Sequence, residues 1–153
     1  MLIKLKKTDP NKVFPQANDI YKIIKYVNSR TFSYYDHFLQ KVEFVVVRRQ
    51  INYYQSAANF LDLLDENEPT ALAHHIFTLD KNTMLINVCQ LILQNEIFFH
   101  YYKNRDLDYV ADYLVNVYKM RKSTAKRRAS TVKAWVKWCD VIIKENNIVI
   151  EEG

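Results

Sequence analysis

The stretch that decides the fold is residues 123–145, STAKRRASTVKAWVKWCDVIIKE. Apolar and small side chains recur in it at steps of four, three, four and three residues, the spacing of one face of an α-helix. The positions of this inner stripe are Ala125, Ala129, Val132, Val136 and Cys139, widened by Trp135 and Ile143. The pattern predicts one long amphipathic helix with a buried side.

The opposite face of this predicted helix is cationic and hydroxylic. It carries Lys126, Ser130, Lys133 and Lys137 in one row, with Arg127, Thr131 and Ala134 beside it and no acid before Asp140. A face that only keeps a protein soluble is expected to mix both signs of charge. Cations in a first turn also oppose the helix dipole, at about 0.3–1 kcal/mol each. Such a helix end, with free N–H groups and the Ser123 or Thr124 hydroxyl, suits phosphate oxygens.

The basic charge of the chain is local. Its 22 Lys and Arg outnumber its 17 Asp and Glu, and eight of the basic residues lie between positions 119 and 137. The remainder of the chain is therefore slightly acidic. A directed positive field of this kind favours a polyanionic partner over the alternative of a merely solvated charge run.

Composition limits the class of protein. A hydrophobic fraction of 49% in 153 residues is enough for one ordinary domain or two small ones. We expect a cytoplasmic protein without a membrane partner, because no apolar run approaches the roughly 20 residues of a membrane span and no secretory signal is evident. Cys89 and Cys139 lack zinc-ligand spacing, and adjacent His74 and His75 would point to opposite faces of a strand. We expect neither a metal nor another cofactor.

Helical spacing recurs elsewhere in the chain. It predicts helices within residues 17–28, 33–43, 45–65, 82–102 and 106–118, with breaks at Asn95 and Asn104 and a turn at residues 119–123. Alternation of Leu72, His74, Ile76 and Thr78 predicts a small hairpin or wing. Residues 147–150, NIVI, have the pattern of a single strand.

The order of turn, amphipathic helix with a basic first turn and strand-like piece occurs twice. A shift of 78 residues places Val47, Ile51, Tyr54, Ala58 and Leu61 on the inner stripe, and Asp62 on Asp140. We therefore expect a mainly α fold with short β wings, in which two tandem winged helix-turn-helix units are joined by a buried connector helix. Residues 1–80 would form the first unit. Residues 81–153 would form the connector and the second unit, whose wing has only one strand.

Helix-turn-helix geometry supplies a mechanism for binding DNA. The second helix enters the major groove by its N-terminal turns, where Arg, Asn and Gln contact base edges while Lys and Ser hold phosphates. Candidate contacts in the first unit are Arg48, Arg49, Gln50, Asn52, Tyr53 and Gln55, with Asn59 in the same row. In the second unit, Lys122, Lys126, Lys133 and Lys137 are candidate phosphate contacts, Arg127, Arg128, Ser130 and Thr131 are candidate base contacts, and Ser123 and Thr124 supply helix-end hydroxyls.

The combination of RRQINYYQSAANFLDLLD with STAKRRASTVKAWVKW resembles tandem winged-helix modules of prokaryotes, especially those attached to type II restriction endonucleases. The first recognition-helix motif is matched by Arg49, Gln50, Tyr53, Tyr54, Ala57, Ala58 and Leu61, and the second by Thr124, Arg127, Arg128, Ser130, Thr131, Val132 and Trp135. The resemblance implies recognition of specific double-stranded DNA on behalf of a linked or separate nuclease domain.

A catalytic arrangement is not evident in the sequence. We find no strand-borne Asp followed by Glu-x-Lys and no HNH-like pattern, and a single Gly excludes a glycine-rich phosphate loop. We expect no enzymatic activity from this chain, and DNA recognition within a restriction-modification protein. A stand-alone transcriptional regulator and an adaptor for an acidic protein partner are the alternatives. The sequence leaves open the target site, methylation sensitivity, the oligomeric state, and whether the chain is part of a nuclease.

Overall fold

The computed structural model describes residues 1–30 and 48–153, and these are mainly helical with two small sheets. The helices are α1 Ile20–Arg30, α2 Arg48–Phe60, α3 Ala71–Ile76, α4 Lys81–Leu93, α5 Glu96–Asn104, α6 Leu107–Tyr118 and α7 Lys122–Glu145. The strands are β1 Leu2–Ile3, β2 Leu64–Asp65, β3 Glu68–Pro69 and β4 Glu151–Glu152. The expected mainly α class with short β elements is confirmed. The helix predicted within residues 33–43 lies outside the described residues, as does Val47.

The chain divides into two compact units: residues 12–80, called here the 12–80 unit, and residues 1–11 with 81–153, called the α4–α7 unit. The first eleven residues were expected to belong with residues 12–80. They pack in the α4–α7 unit because β1 pairs in parallel with β4 and the Lys6 backbone bridges the α4–α5 junction. There the Lys6 N–H donates to the Gln94 carbonyl at 2.7 Å, and the Glu96 N–H donates to the Lys6 carbonyl at 3.1 Å.

In the 12–80 unit, α1 packs against α2. The predicted stripe of α1 is confirmed, since Ile20, Ile23, Ile24 and Val27 are all buried. On α2 the predicted inner positions Tyr54 and Ala58 are buried and Ile51 is half-buried, and Leu61, the residue after the helix, is also buried. The rings of Tyr26 and Tyr54 lie 6.3 Å apart between the two helices.

The prediction of a small hairpin or wing over Leu72–Thr78 was wrong. The hairpin is formed earlier, by antiparallel β2 and β3, and residues 71–76 form α3. Thr70 caps this helix, because its hydroxyl oxygen accepts the Ala73 N–H at 3.1 Å. Ala73 and Ile76, three residues apart, are the buried positions of α3. His74 and His75 are exposed helical residues, so the strand geometry assumed for them does not apply.

In the α4–α7 unit, the predicted break at Asn95 is confirmed, and the helix predicted from Asp106 is present with Asp106 as its N-cap. The Asn95 side chain accepts the Ile97 N–H at the start of α5, which ends at Asn104, and Asp106 accepts the Tyr109 N–H at the start of α6. Three residues separate α6 from α7, and Lys119 ends α6 in the left-handed conformation at φ 57°. The connection is of the length that is common between packed helices.

The predicted long helix is confirmed as α7, 24 residues in length. All five positions of its inner stripe are buried, and α7 packs against α4, α5 and α6. Trp135 is fully buried and stacks on Phe98, with ring centroids 5.1 Å apart. Burial of this face secures α7 as one element of the core.

The strand after α7 begins later than predicted. Residues 147–150 are not in a strand, and β4 at Glu151–Glu152 pairs in parallel with β1. Within the described residues, α7 is therefore not followed by an antiparallel hairpin like the one that follows α2.

Candidate nucleic-acid interface

The outer face of α7 is a long exposed surface of lysines. The exposed basic and hydroxyl residues of this face are Lys122, Ser123, Lys126, Arg127, Ser130, Lys133, Lys137 and Lys144. At 100° per residue, Lys126, Lys133, Lys137 and Lys144 fall within about 20° of one direction on the helix. We call these four residues the lysine row. Among the described residues, no carboxylate forms an ion pair with any of the four ammonium groups.

Lys144 is a member of the lysine row that the sequence interpretation missed, because Asp140 was taken as the end of the cationic face. The missed signal is its spacing, seven residues or about two turns beyond Lys137. Asp140 itself is held by Arg105, whose Nη1 and Nη2 donate to the two carboxylate oxygens at 2.7 and 2.6 Å. The acid therefore does not present an unopposed charge beside the row.

Arg105 is well placed to hold Asp140. It caps the end of α5 in the left-handed conformation, and its guanidinium lies over the rings of Tyr101 and Tyr102, 5.7 and 5.5 Å from their centroids. Hydrogen bonding to the Asp140 carboxylate raises the pKa of Arg105 further above its ordinary value. The two-bonded ion pair is a charge-assisted interaction with fixed geometry.

The structure corrects the list of predicted base contacts on α7. Thr131 is only 2% exposed, so its side chain belongs to the core and cannot meet a base edge. Arg128 is half-buried and interacts within the protein. Ser130 is exposed, but its hydroxyl donates to the Lys126 carbonyl at 3.2 Å. Arg127 is exposed, with Nη2 3.4 Å from the Thr124 hydroxyl oxygen.

The first turn of α7 also differs from the prediction. Arg121 is the N-cap, so Ser123 and half-buried Thr124 lie inside the first turn rather than at the cap position. No side chain in the described part of the chain makes the N-cap hydrogen bond. The exposed Lys122 and Lys126 occupy the first two turns, which keeps positive charge where the helix dipole already adds to it.

The candidate contacts on α2 fall into three groups. The backbone of Arg48, Arg49 and Gln50 forms the first turn of α2, and the roles of their side chains stay predictions. Asn52 and Tyr53 are exposed, as a contact residue must be. The amides of Gln55 and Asn59 are engaged within the protein. Gln55 donates to the Glu66 carbonyl at 3.1 Å, and Asn59 donates to the Gln55 carbonyl at 3.0 Å.

The β2–β3 hairpin that follows α2 is acidic. Asp65, Glu66 and Glu68 are all exposed on it, while Asp62, two residues after α2, forms an ion pair with Lys12. Arg30 fixes the hairpin from α1 by donating to the Asn67 carbonyl at 2.7 Å. An exposed acidic hairpin repels phosphate, so the positive surface of the described residues is concentrated on α7 rather than on this hairpin.

The described residues contain no cluster of three or more His, Cys, Asp or Glu side chains that could hold a metal ion. They also contain no helix that combines the length and the apolar character needed to cross a membrane.

Fold and surface together define a mainly helical protein in which one long helix buries an apolar side and exposes a cationic one. The chain belongs to the family described as a domain of unknown function, DUF7226, whose pattern matches residues 20–144. The match includes α1, α2 and all but the last residue of α7. No curated protein and no solved structure matches the chain.

Proposed function

We propose that this protein binds double-stranded DNA through the exposed face of α7, with α2 as a second contact, and that the chain has no catalytic role of its own. The observation that carries the proposal is the lysine row. Four ammonium groups stand on one side of a helix whose other side is buried, and no described carboxylate pairs with them. Between Lys126 and Lys137 this face carries no acid, whereas a face that only kept the helix soluble is expected to mix both signs of charge.

Phosphate is the ligand that this surface suits best. Each Lys or Arg that neutralises a phosphate of duplex DNA releases condensed counterions. A plot of the logarithm of the binding constant against the logarithm of the salt concentration therefore has a slope of about −0.9 per contact. One such contact therefore makes the affinity about eightfold higher at 0.1 M salt than at 1 M salt.

A tandem winged helix-turn-helix architecture is part of the proposal. The three-residue connection between α6 and α7 and the hairpin after α2 support it. The resemblance of the two helices to modules attached to type II restriction endonucleases supports a role in recognition for a restriction-modification protein, with the nuclease supplied by another domain or chain. A transcriptional regulator would use the same surface.

The second candidate function is docking of an acidic protein partner. It is favoured by the loss of base-reading groups, because Gln55 is bound to Glu66 and Thr131 is buried. Carboxylates on a partner would then pair with the lysine row in place of phosphates.

The test is binding of a pool of random 24-base-pair duplexes over a range of salt. We expect the variant Lys126→Gln with Arg127→Gln to bind about 60-fold more weakly than wild type at 0.1 M salt, with a salt slope shallower by about 1.8. The matched control is Lys4→Gln with Lys22→Gln, which removes the same charge from exposed positions outside α7.

Two results would count against DNA binding. One is that wild type retains no duplex from the pool at 0.1 M salt. The other is that a polyglutamate peptide displaces bound duplex at equal charge concentration, which would favour the acidic partner. Equal affinity of the α7 variant and its control would remove α7 from the interface.

A further inference from the structure

We infer that α7 lies along a phosphate backbone over its whole length, from Lys126 to Lys144, and does not insert its first turns into the major groove to read base sequence. The inference rests on the proposed function and specifies how that surface engages its ligand. Sequence preference would then come from groups other than the lysine row.

The length of the row is the first argument. Lys126 and Lys144 are 18 residues apart, which is about 27 Å along a helix. The major groove is about 12 Å wide and 8.5 Å deep. If the first turns of α7 entered it, Lys137 would stand about 16 Å behind Lys126 along the axis, and Lys144 farther still. A helix laid along the duplex surface brings all four lysines near phosphates.

The chemistry of the exposed groups is the second argument. Bases are distinguished by the paired hydrogen bonds of Arg, Asn and Gln, whereas a lysine ammonium is a point charge suited to phosphate. The four exposed cations that share one direction on α7 are all lysines, with no Arg among them. The hydroxyl of Ser130, between Lys126 and Lys133, already donates to the backbone, and the Thr131 hydroxyl is buried. Arg127, beside the row, is the exposed guanidinium of α7.

The third argument is the Arg105–Asp140 ion pair. Asp140 falls between Lys137 and Lys144 along the row, where an unopposed carboxylate would repel phosphate. Arg105 reaches it from the end of α5 with two hydrogen bonds of 2.7 and 2.6 Å. Because Arg105 neutralises Asp140, the row stays cationic as far as Lys144. A helix that contacted DNA only by its first turns would not need this neutralisation.

The deciding experiment compares Lys126→Gln, Lys144→Gln and the control Lys103→Gln, an exposed lysine on α5. Each variant is titrated with a 24-base-pair duplex selected by wild type and with a scrambled duplex, from 0.1 to 0.5 M salt, after its thermal unfolding is compared with wild type. We expect Lys126→Gln and Lys144→Gln each to lose about eightfold at 0.1 M, equally on both duplexes, with slopes shallower by about 0.9. Lys103→Gln should match wild type.

The outcomes separate this inference from the proposed function. If Lys126→Gln weakens binding and Lys144→Gln does not, DNA binding stands and the inference is overturned. A loss confined to the selected duplex would also overturn it, because the row would then be reading sequence. If wild type retains no duplex from the random pool at 0.1 M salt, the proposed function fails and the inference fails with it.

A charge-rescue variant tests the role of the ion pair. Arg105→Gln leaves the Asp140 carboxylate unopposed, so affinity for both duplexes should fall several-fold. Adding Asp140→Asn should restore affinity to within about twofold of wild type. If the second change restores nothing, Arg105 does not act by neutralising Asp140.

Discussion

At the scale of single residues, Glu96 ties together three separate parts of the chain. Its Oε1 atom accepts the Tyr113 hydroxyl at 2.7 Å and the Thr8 N–H at 3.3 Å, while the Thr8 hydroxyl donates to the Asn95 side-chain oxygen at 3.1 Å. Burial raises the pKa of Tyr113 to about 12, and the neighbouring Glu96 carboxylate adds to this effect. A tyrosinate there would be poorly solvated and would face an anion.

The raised pKa of Tyr113 predicts a loss of stability at alkaline pH. Above pH 10 an unfolded chain releases the tyrosine proton, whereas the folded chain keeps it until about pH 12, so stability falls as pH rises through this interval. We expect Tyr113→Phe to lose less stability than wild type between pH 9 and pH 11. Urea unfolding at both values measures this difference, with exposed Tyr21→Phe as the control. Identical losses in wild type and Tyr113→Phe would contradict the assignment.

Which polar side chains are available for a ligand could be predicted only in part from the sequence. Lys126, Lys133 and Lys137 were correctly placed on the outer face because helical spacing fixes direction. The hydrogen bond of Gln55 could not be predicted, because its acceptor, the Glu66 carbonyl, is supplied by a hairpin eleven residues away. Thr131 was misjudged because α7 packs against α4, α5 and α6, so its buried arc is wider than one stripe.

At the scale of elements, the length of a segment determined whether its secondary structure could be predicted from the sequence. In α7 the helical spacing is sustained over 24 residues, and no strand could satisfy it. Residues 71–76 are too few to show a period, and the alternation of Leu72, His74 and Ile76 favoured a strand. The Thr70 cap stabilises a helix there, as does the burial of Ala73 and Ile76 on one side of it.

The inner face of α7 predicts where the α4–α7 unit is most sensitive to substitution. Trp135 is fully buried and stacks on Phe98 of α5, so Trp135→Ala should lower the free energy of unfolding by about 3–5 kcal/mol. Val141→Ala, on the same helix but 47% exposed, should change it by less than about 0.5 kcal/mol. Urea unfolding followed by circular dichroism measures both. Equal effects would show that Trp135 does not fill the core as described.

At the scale of the whole molecule, the two ends of the chain belong to one compact unit. β1 pairs with β4, the Gly153 N–H donates to the Ile3 carbonyl at 2.8 Å, and Ile3 is fully buried. Sequence periodicity could not predict this arrangement, because two-residue strands carry no pattern and their partners lie about 150 residues apart. Both tryptophans of the chain, Trp135 and Trp138, are on α7, so tryptophan fluorescence reports on this unit alone.

Ile3→Ala tests whether the amino-terminal segment is part of the α4–α7 unit. Removing a fully buried isoleucine side chain should cost about 2–4 kcal/mol of unfolding free energy, and the loss should lower the midpoint of the urea transition seen by tryptophan fluorescence. Leu2→Ala is the neighbouring control, because Leu2 is 47% exposed and its loss should shift the midpoint little. Both tryptophans lie more than 130 positions from Ile3 in the chain, so a shift of the fluorescence midpoint reports packing in the folded unit. If residues 1–11 instead packed only with residues 12–80, the fluorescence midpoint would not move in Ile3→Ala.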